Sequence, residues 1–463
     1  MMHSLILRIN IYHVLYLFLL FGTAFGGFYE TVPNIIVILA DDLGWNDVGF
    51  HGSDQIPTPN IDALAYNGII LNRHYVLPSS TPSRTAFFSG KYPIRMGMQG
   101  ESIQGGEPRG LPLNVRILPE YLRGLGYTTK LIGKWHLGYH TPQYTPLHRG
   151  FDSFLGFYNS HVSYRDYKYS YQMKYTLYEG GVRGVSVLWS PKLHKAARVC
   201  DNLVHISDWL PTLYAAAEGD LRDLGEIDGM NQWPMLDKDE PTVRDRLLLN
   251  IDEISTTEGA IFKHYKLLRG SIENGHYDGY HRDYERNYTP HTWRYYNDSR
   301  KSTHEYVPPY YEAILNSTVS QSIKYHLGGP VTQPSTIMQL RQDATVNCRS
   351  NASLYNFITC NVTECLFDIK NDPCETKNVV NQYPRIAREL DQILENYSRS
   401  IAIQVKPPVD WLADPRRTNN TWEPWIPSGD GTYLYNAAAQ LAGLACYLHI
   451  GIVLVAVVCK AFV

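Results

Sequence analysis

The chain has 463 residues, which is enough to bury a large core or to hold two domains. Its hydrophobic content of 44% and charged content of 19% are ordinary for a globular protein and exclude a disordered or fibrous chain. The formal net charge is −3, so the composition does not favour nucleic acid as a partner, and we expect none.

The N-terminus is predicted to be a signal peptide over residues 1–26. Arg8 supplies a positive charge, residues 14–21 form an apolar run, and Ala24, Phe25 and Gly26 form a plausible cleavage site. A membrane anchor is the alternative, but the apolar run is short for a span.

The first buried strand is predicted over residues 34–40, an almost continuous apolar run rich in β-branched residues. It ends at Asp41 and Asp42, the position at which open α/β sheets bind ligands. Adjacent carboxylates there could begin a Ca²⁺ site, because calcium prefers many oxygen ligands. A solvated turn with helix-capping acids is the alternative interpretation.

A helix is predicted to follow Ser80 in the sequence Ser-Thr-Pro-Ser-Arg, which ends at Arg84. Ser80 could be a simple helix N-cap. The same geometry would also suit a sulfate or phosphate ester, since a helix N-terminus attracts anions. Arg84 lies one turn further along the same face, and a guanidinium can hold an oxyanion through two hydrogen bonds.

Further helices are predicted over residues 58–65 and 118–125, and a strand over residues 128–132. That strand leads into Lys134 and His136, which would point to the same side of an extended segment. One could neutralise an ester's oxygens while the other donates or carries a proton. A strand end with a solvent-facing Lys and His is the alternative. The next predicted elements are a buried strand at 182–188 and a helix beginning in 205–213.

The character of the chain changes near residue 255, where segments rich in Tyr, Asn and charge alternate with short apolar ones. We therefore predict an α/β domain over 27–254 and a smaller α+β domain over 255–436. Four cysteines within 348–374 predict one or two local disulfides, with one thiol of the five before the tail left unpaired. Seven glycosylation sequons predict a lumenal or extracellular surface, and they are Asn287, Asn297, Asn316, Asn351, Asn361, Asn396 and Asn419.

The C-terminal segment 437–463 is a hydrophobic tail. It could be the signal for a glycolipid anchor or a single transmembrane helix, and membrane association through this tail is therefore expected to be possible. The expected location is the secretory pathway, with the protein extracellular, lysosomal or anchored at the cell surface.

Together these motifs resemble the sulfatase family. The Ser80 motif resembles the first sulfatase signature, and residues 126–136 resemble the second. The resemblance extends over about residues 32 to 425 and is greatest to the arylsulfatase B-like, N-acetylgalactosamine-4-sulfatase-like sulfatases of animals. It also includes the segments 149–156, 174–184, 205–213 and 365–373.

This resemblance implies an alkaline-phosphatase-like α/β fold and a calcium-dependent sulfuric ester hydrolase acting on aryl sulfates or sulfated glycans. Asp41, Asp42 and Ser80 would be calcium ligands, with formylglycine formed at Ser80. Arg84, Lys134 and His136 would complete the catalytic shell, and a further residue, Lys174, would bind the substrate.

Two departures from the family predict impaired turnover. Only 17 residues separate Gly156 from Lys174, where the family has on the order of a hundred more. That stretch carries the other calcium ligands, so Ca²⁺ would be weakly held and the mostly parallel sheet truncated. In addition, an unmodified Ser80 has only one hydroxyl. The alternatives are a pseudoenzyme that binds sulfated glycans and, less favoured, a serine phosphoryl acceptor.

Overall fold

The computed structural model describes residues 32–53, 56–160, 176–271, 310–327, 332–346, 360 and 364–427, and the backbone of 452–459. Its strands in chain order are β1 (Asn34–Asp41), β2 (Ile69–Leu71), β3 (His74–Tyr75), β4 (Lys130–Lys134), β5 (Ser153–Phe157), β6 (Ser186–Trp189), β7 (Arg198–Cys200), β8 (Val204–His205), β9 (Arg246–Asp252), β10 (Thr257–Phe262), β11 (Tyr265–Arg269), β12 (Cys365–Asp368) and β13 (Ile452–Cys459).

The helices in chain order are α1 (Pro59–Asn67), α2 (Ser80–Ser89), α3 (Leu118–Gly124), α4 (Glu179–Val182), α5 (Trp209–Ala216), α6 (Trp233–Lys238), α7 (Tyr310–Leu315), α8 (Thr318–Leu327), α9 (Pro334–Ala344) and α10 (Pro384–Ser398). Short 3-10 turns connect several of them. The predicted strands at 34–40 and 128–132 and the predicted helices at 58–65, after Ser80 and at 118–125 are present. The prediction that the first strand is buried is wrong, because Asn34, Ile36 and Ile38 on one side of β1 are exposed.

The central sheet has five strands in the order β1-β13-β6-β2-β7. The pairs β1/β13 and β2/β7 are parallel, whereas β6 runs antiparallel to both of its neighbours. The sheet is therefore mixed, and it is less parallel than the sequence predicted. β6 also begins later than predicted, because residues 179–182 form the short helix α4 instead.

β13 comes from the hydrophobic tail. All eight of its residues pair with β1, from Asn34 with Ile452 to Asp41 with Cys459, and four pair with β6. The structure thus differs from the expectation of a membrane-spanning helix, since these eight residues form a central strand. Among the described residues, no helix is both long and apolar enough to cross a bilayer.

β4 and β5 form a separate parallel pair that lies beside β1. The Tyr127 hydroxyl donates a hydrogen bond to the Pro33 carbonyl at 2.8 Å, just before both strands begin. Lys134, the last residue of β4, contacts Asp41, the last residue of β1. The carboxyl ends of β1 and β4 therefore meet at one edge, as expected for a ligand site in an α/β fold.

The largest hydrophobic core lies on one face of these strands. Ile35, Val37 and Leu39 of β1 pack against this core, which includes Phe87 and Phe88 of α2. All ten residues of α2 are buried, and Gly90 ends the helix in the left-handed conformation with φ 67°. The core therefore fixes the position of Ser80 at the first residue of α2.

The second sheet is antiparallel, with the order β12-β11-β10-β9, and α10 covers it. It begins with β9 at Arg246, eight residues before the predicted end of the first domain at 254, and the domain boundary itself stays a prediction. Residues 310–344 also depart from the predicted division, since α7 and α9 pack with α1 in a core on the side of the central sheet. The predicted local disulfide is present as Cys360–Cys365, Cys374 is also disulfide-bonded, and Cys200 is free and buried.

Candidate active site

Ser80 is the first residue of α2, not its N-cap as one interpretation of the sequence proposed. Ser79 occupies the N-cap position and makes no side-chain capping bond. The Ser80 side chain therefore does not cap the helix, and with only 3% of its surface exposed it is directed into the protein.

The Ser80 hydroxyl pairs with an imidazole. Ser80 Oγ lies 2.6 Å from His136 Nδ1, and His136 Nε2 lies 2.9 Å from the Ile103 carbonyl oxygen. Because a carbonyl can only accept, Nε2 carries the proton of the neutral ring and Nδ1 accepts from Ser80. A hydroxyl, a base and a group that orients the base are the arrangement by which proteins activate a serine nucleophile.

The loop that supplies Ile103 also contacts the first turn of α2. Ser102 Oγ lies 3.3 Å from Ser80 Oγ and accepts a hydrogen bond from the Thr81 backbone N–H at 3.1 Å. Neither Ser102 nor Ile103 was predicted to be part of the site. No local motif marks them, and Ile103 contributes only its backbone carbonyl.

Arg84 and Lys134, two other residues expected in the site, contact each other, and both side chains are buried. Arg84 Nη1 donates to the Lys134 carbonyl oxygen at 2.7 Å. Arg84 Nε is also buried, and within the described part of the chain it has no hydrogen-bond partner. This guanidinium thus offers an unused donor in a desolvated environment, where an oxyanion would be held strongly.

The Lys134 ammonium group is bound to Asp41. Nζ lies 2.9 Å from Oδ1 and 3.0 Å from Oδ2, with side-chain exposures of 8% for Lys134 and 22% for Asp41. Burial lowers the pKa of Lys134, while the Asp41 and Asp42 carboxylates act in the opposite direction and Arg84 reinforces the lowering.

The expected calcium ligands do not fit a metal site as they stand. Both Asp41 oxygens contact an ammonium, Ser80 is bonded to His136, and Asp42 has a left-handed backbone with φ 63°. Over the part of the chain that the structure describes, no three His, Cys, Asp or Glu side chains are grouped to hold a metal. Asp41, Asp42 and Ser80 in this arrangement therefore do not form a calcium site. Lys174 lies outside the described residues.

The comparisons with known proteins bear on the same segment. A family model described as Sulfatase matches residues 33–175, which include every predicted site residue. Arylsulfatase J of Mus musculus is 26% identical over 525 aligned residues, covering 85% of this chain and 80% of that protein.

The matched region, residues 33–175, is a sulfatase-family region. Other similar relatives match a shorter part of the chain. N-acetylgalactosamine-6-sulfatase of Homo sapiens is 40% identical over 144 residues, covering 29% of this chain and 27% of that protein. Steryl-sulfatase of Homo sapiens is 45% identical over 135 residues, covering 27% of this chain and 23% of that protein. In these shorter matches the chain spans only about a quarter of each relative.

Solved structures show the same fold at low identity. Ps i-CgsB in complex with k-i-k-neocarrahexaose has a TM-score of 0.54 at 18% identity, covering 84% of this chain and 97% of that chain. The PsFucS1 sulfatase from Pseudoalteromonas sp. has a TM-score of 0.51 at 15% identity, covering 88% and 97%. The alkaline-phosphatase-like sulfatase fold predicted from the sequence is thus confirmed, and the family places the chain among the sulfuric ester hydrolases as a class.

Proposed function

We propose that this sulfatase-family chain acts on aryl or glycan sulfate esters through Ser80, with turnover that is impaired while Ser80 is unmodified. The observation that carries the proposal is the Ser80 Oγ to His136 Nδ1 contact of 2.6 Å, with the ring oriented by the Ile103 carbonyl. It supplies the activating base that a serine hydroxyl needs.

The proposed step transfers one sulfuryl group. Ser80 Oγ attacks the ester sulfur, its proton passes to His136 Nδ1, and the bond between sulfur and the ester oxygen breaks. The aryl or sugar oxygen leaves and becomes an alcohol with that proton. Arg84 Nε is positioned on the first turns of α2 to donate to a sulfuryl oxygen.

The second half of a sulfatase cycle is where this chain is expected to stall. Formylglycine hydrate has a second hydroxyl, which expels sulfate when it loses its proton. A sulfated serine has no second hydroxyl on the same carbon, so its ester must wait for an outside water. We therefore expect one round of alcohol release followed by slow or no turnover.

The missing segment supports the same expectation. The alignment with arylsulfatase J has 525 positions and includes 85% of the 463 residues, which is about 390. About 130 alignment positions therefore hold no residue of this chain, a number similar in size to the segment expected between Gly156 and Lys174. That stretch would contribute to both the sheet and the site.

The test is a burst assay with an aryl sulfate on the purified full-length protein. We expect one equivalent of aryl alcohol per protein and an intact mass increased by one sulfuryl group. Ser80→Ala should release none, whereas Ser89→Ala, the same substitution at the other end of α2, should behave as the wild type.

The outcomes separate the candidate functions. Repeated turnover above the Ser80→Ala background would overturn the impairment, and peptide mass spectrometry would then reveal whether Ser80 is formylglycine. A protein that neither releases alcohol nor gains mass would overturn the acceptor role and leave glycan binding to be measured directly. The engagement of Lys134 by Asp41 speaks against that binding role.

We also infer a secretory-pathway location. The three sequon asparagines that the structure describes, Asn316, Asn396 and Asn419, are all exposed and so accessible to glycosylation. The Cys360–Cys365 disulfide is the kind of bond that persists in an oxidising compartment. Glycosidase treatment of the secreted protein should lower its apparent mass.

A further inference from the structure

Four charged side chains meet where β1 and β4 end. The Lys134 ammonium contacts both carboxylate oxygens of Asp41, at 2.9 and 3.0 Å. Asp42 follows Asp41 directly, and its carboxylate acts electrostatically on Lys134. Arg84 reaches the same strand end through the Lys134 carbonyl. The group thus contains two cations and two carboxylates.

This group is balanced in charge from within the chain. A divalent cation bound at Asp41 would have to displace the Lys134 ammonium from both oxygens. It would also leave two excess positive charges beside a side chain that is only 8% exposed. Unpaired charge in such an environment is strongly unfavourable, so the ion pair and the metal exclude each other.

We propose that Lys134 is the resident cation of Asp41 and takes the position that a calcium ion would otherwise occupy. The fold then needs no divalent metal at this strand end. It follows that the charge of the Lys134 ammonium is largely neutralised by Asp41 and at most one of its three N–H groups is left for an incoming anion, so Arg84 becomes the main cation available to an ester.

The test measures metal binding and stability without any substrate, so its failure is distinct from failure of the proposed function. Thermal unfolding of the wild type in EDTA and in millimolar CaCl₂ should give midpoints within about 1 °C of each other. Calorimetric titration with CaCl₂ should show no binding at this site.

A pair of lysine variants provides the matched comparison. Lys134→Met should lower the unfolding midpoint by about 5 °C or more, because Asp41 loses its buried partner. Millimolar CaCl₂ should recover part of that loss. Lys130→Met, on the exposed start of the same strand, should be as stable as the wild type and equally indifferent to calcium.

The proposal is overturned if CaCl₂ raises the wild-type midpoint by more than about 3 °C and Asp41→Asn abolishes the effect. Should Lys134→Met fail to fold, the wild-type titration still decides the matter. Lys134→Arg then serves as the second variant: it retains a cation and is expected to remain insensitive to calcium.

Discussion

His136, whose side chain we propose to act on Ser80, holds an unusual backbone conformation. Its φ is 60°, in the left-handed region that residues other than glycine rarely occupy. Such a conformation costs roughly 1–3 kcal/mol and persists only where the surroundings impose it. The surroundings here are backbone bonds that continue the β4–β5 pairing, including His136 N–H to the Tyr158 carbonyl at 2.9 Å. The imidazole is thereby directed at Ser80.

Replacing this imidazole should stop the activation of Ser80. We expect His136→Ala to slow sulfuryl transfer to Ser80 by about 10²- to 10⁴-fold, since general-base catalysis is worth that much. The measurement is the rate of mass gain under an excess of aryl sulfate. His148→Ala, which removes an exposed imidazole, should react at the wild-type rate. Equal rates for both variants would mean that His136 is not the base.

Much of the site at this scale could be predicted from the sequence. Ser80, Arg84, Lys134 and His136 were expected to converge, because the two signatures place them at a helix start and a strand end. The Ser102 hydroxyl and the Ile103 carbonyl could not be predicted, since any loop could bring such groups there. The Asp41–Lys134 pair was also missed, as it depends on how β1 and β4 are placed side by side.

At the scale of elements, a buried charge cluster joins α4 to the second sheet. Lys266 of β11 is fully buried, and its Nζ lies 3.0 Å from Glu179 Oε1 and 2.8 Å from Glu375 Oε1. Tyr75 donates to Glu179 at 3.1 Å, and Arg183 lies 3.6 Å from the same carboxylate. The two parts of the chain are thus held together by charges that water does not reach.

The cluster makes the stability of this junction depend on pH. Burial raises the pKa of Glu375 from 4.5 to about 7, although Lys266 acts against the rise. The folded state therefore holds this proton more tightly than the unfolded chain, so the contribution to stability grows as pH falls from about 8 to about 5. Burial acts to raise the pKa of Glu179 as well, but Lys266 and Arg183 lower it overall from its ordinary value of 4.5. The stability that the ionised Glu179 contributes is therefore lost only as the pH falls below that value.

Glu375→Gln should remove this dependence. The unfolding free energy of the variant minus that of the wild type should be greater at pH 8 than at pH 5. The expected change in this difference is on the order of 2–3 kcal/mol, or a few degrees in the unfolding midpoint. The quantity to measure is the difference in unfolding free energy between the two proteins at each pH. The wild-type profile alone does not isolate Glu375, because burial lowers the pKa of His51 and of His74 to about 3 and both therefore destabilise the folded state as the pH falls below 6.5. Glu389→Gln, at an exposed position of α10, is the control, and a parallel pH profile for all three proteins would refute the assignment.

Local sequence signals predicted several elements but not β13. β1 and β4 have runs of residues suited to strands, and α2 has a polar start, a first-turn proline and a glycine stop. The tail of the chain is equally apolar, and a long apolar run suits a helix or a buried strand alike. The tail segment forms a strand because it pairs with β1 on one side and β6 on the other, and the sequence does not show that these two strands leave room for it.

For the whole molecule, one side of β1 and one side of the β4–β5 pair carry exposed apolar side chains. Ile36 and Ile38 of β1 are 44% and 49% exposed, Ile132 of β4 is 79% exposed and Leu155 of β5 is 73% exposed. The opposite side of these strands packs on the largest core. A contiguous apolar face of this kind promotes association between molecules.

Making that face polar should reduce self-association. We expect Ile132→Thr combined with Leu155→Thr to lower the concentration-dependent mass seen by light scattering, with threonine retained for its strand preference. Val243→Thr with Ile254→Thr, which changes two side chains 66% and 55% exposed elsewhere, should have no such effect. Identical scattering from both double variants would show that the face does not drive association.

The sequence predicted the α/β class and a second sheet, but the arrangement of the halves was less accessible. Residues 310–344 were grouped with the smaller domain because the composition of the chain changes near residue 255, yet Ile314 and Ile337 pack in the core beside α1. Likewise, nothing in β6 itself indicates that it runs antiparallel. Both features are settled by contacts between segments far apart in sequence, which periodicity and composition do not report.

The pairing of β1 with β13 also constrains how the molecule is made. Asn34 and Ile452 are about 400 positions apart, so β1 leaves the ribosome long before its partner exists. At 5–20 residues per second the delay is roughly 20 to 80 s. β1 presents an unsatisfied edge throughout that interval, and β6 does so from the time it is synthesised. The nascent chain is therefore a natural client for chaperones that shield open strands until synthesis reaches β13.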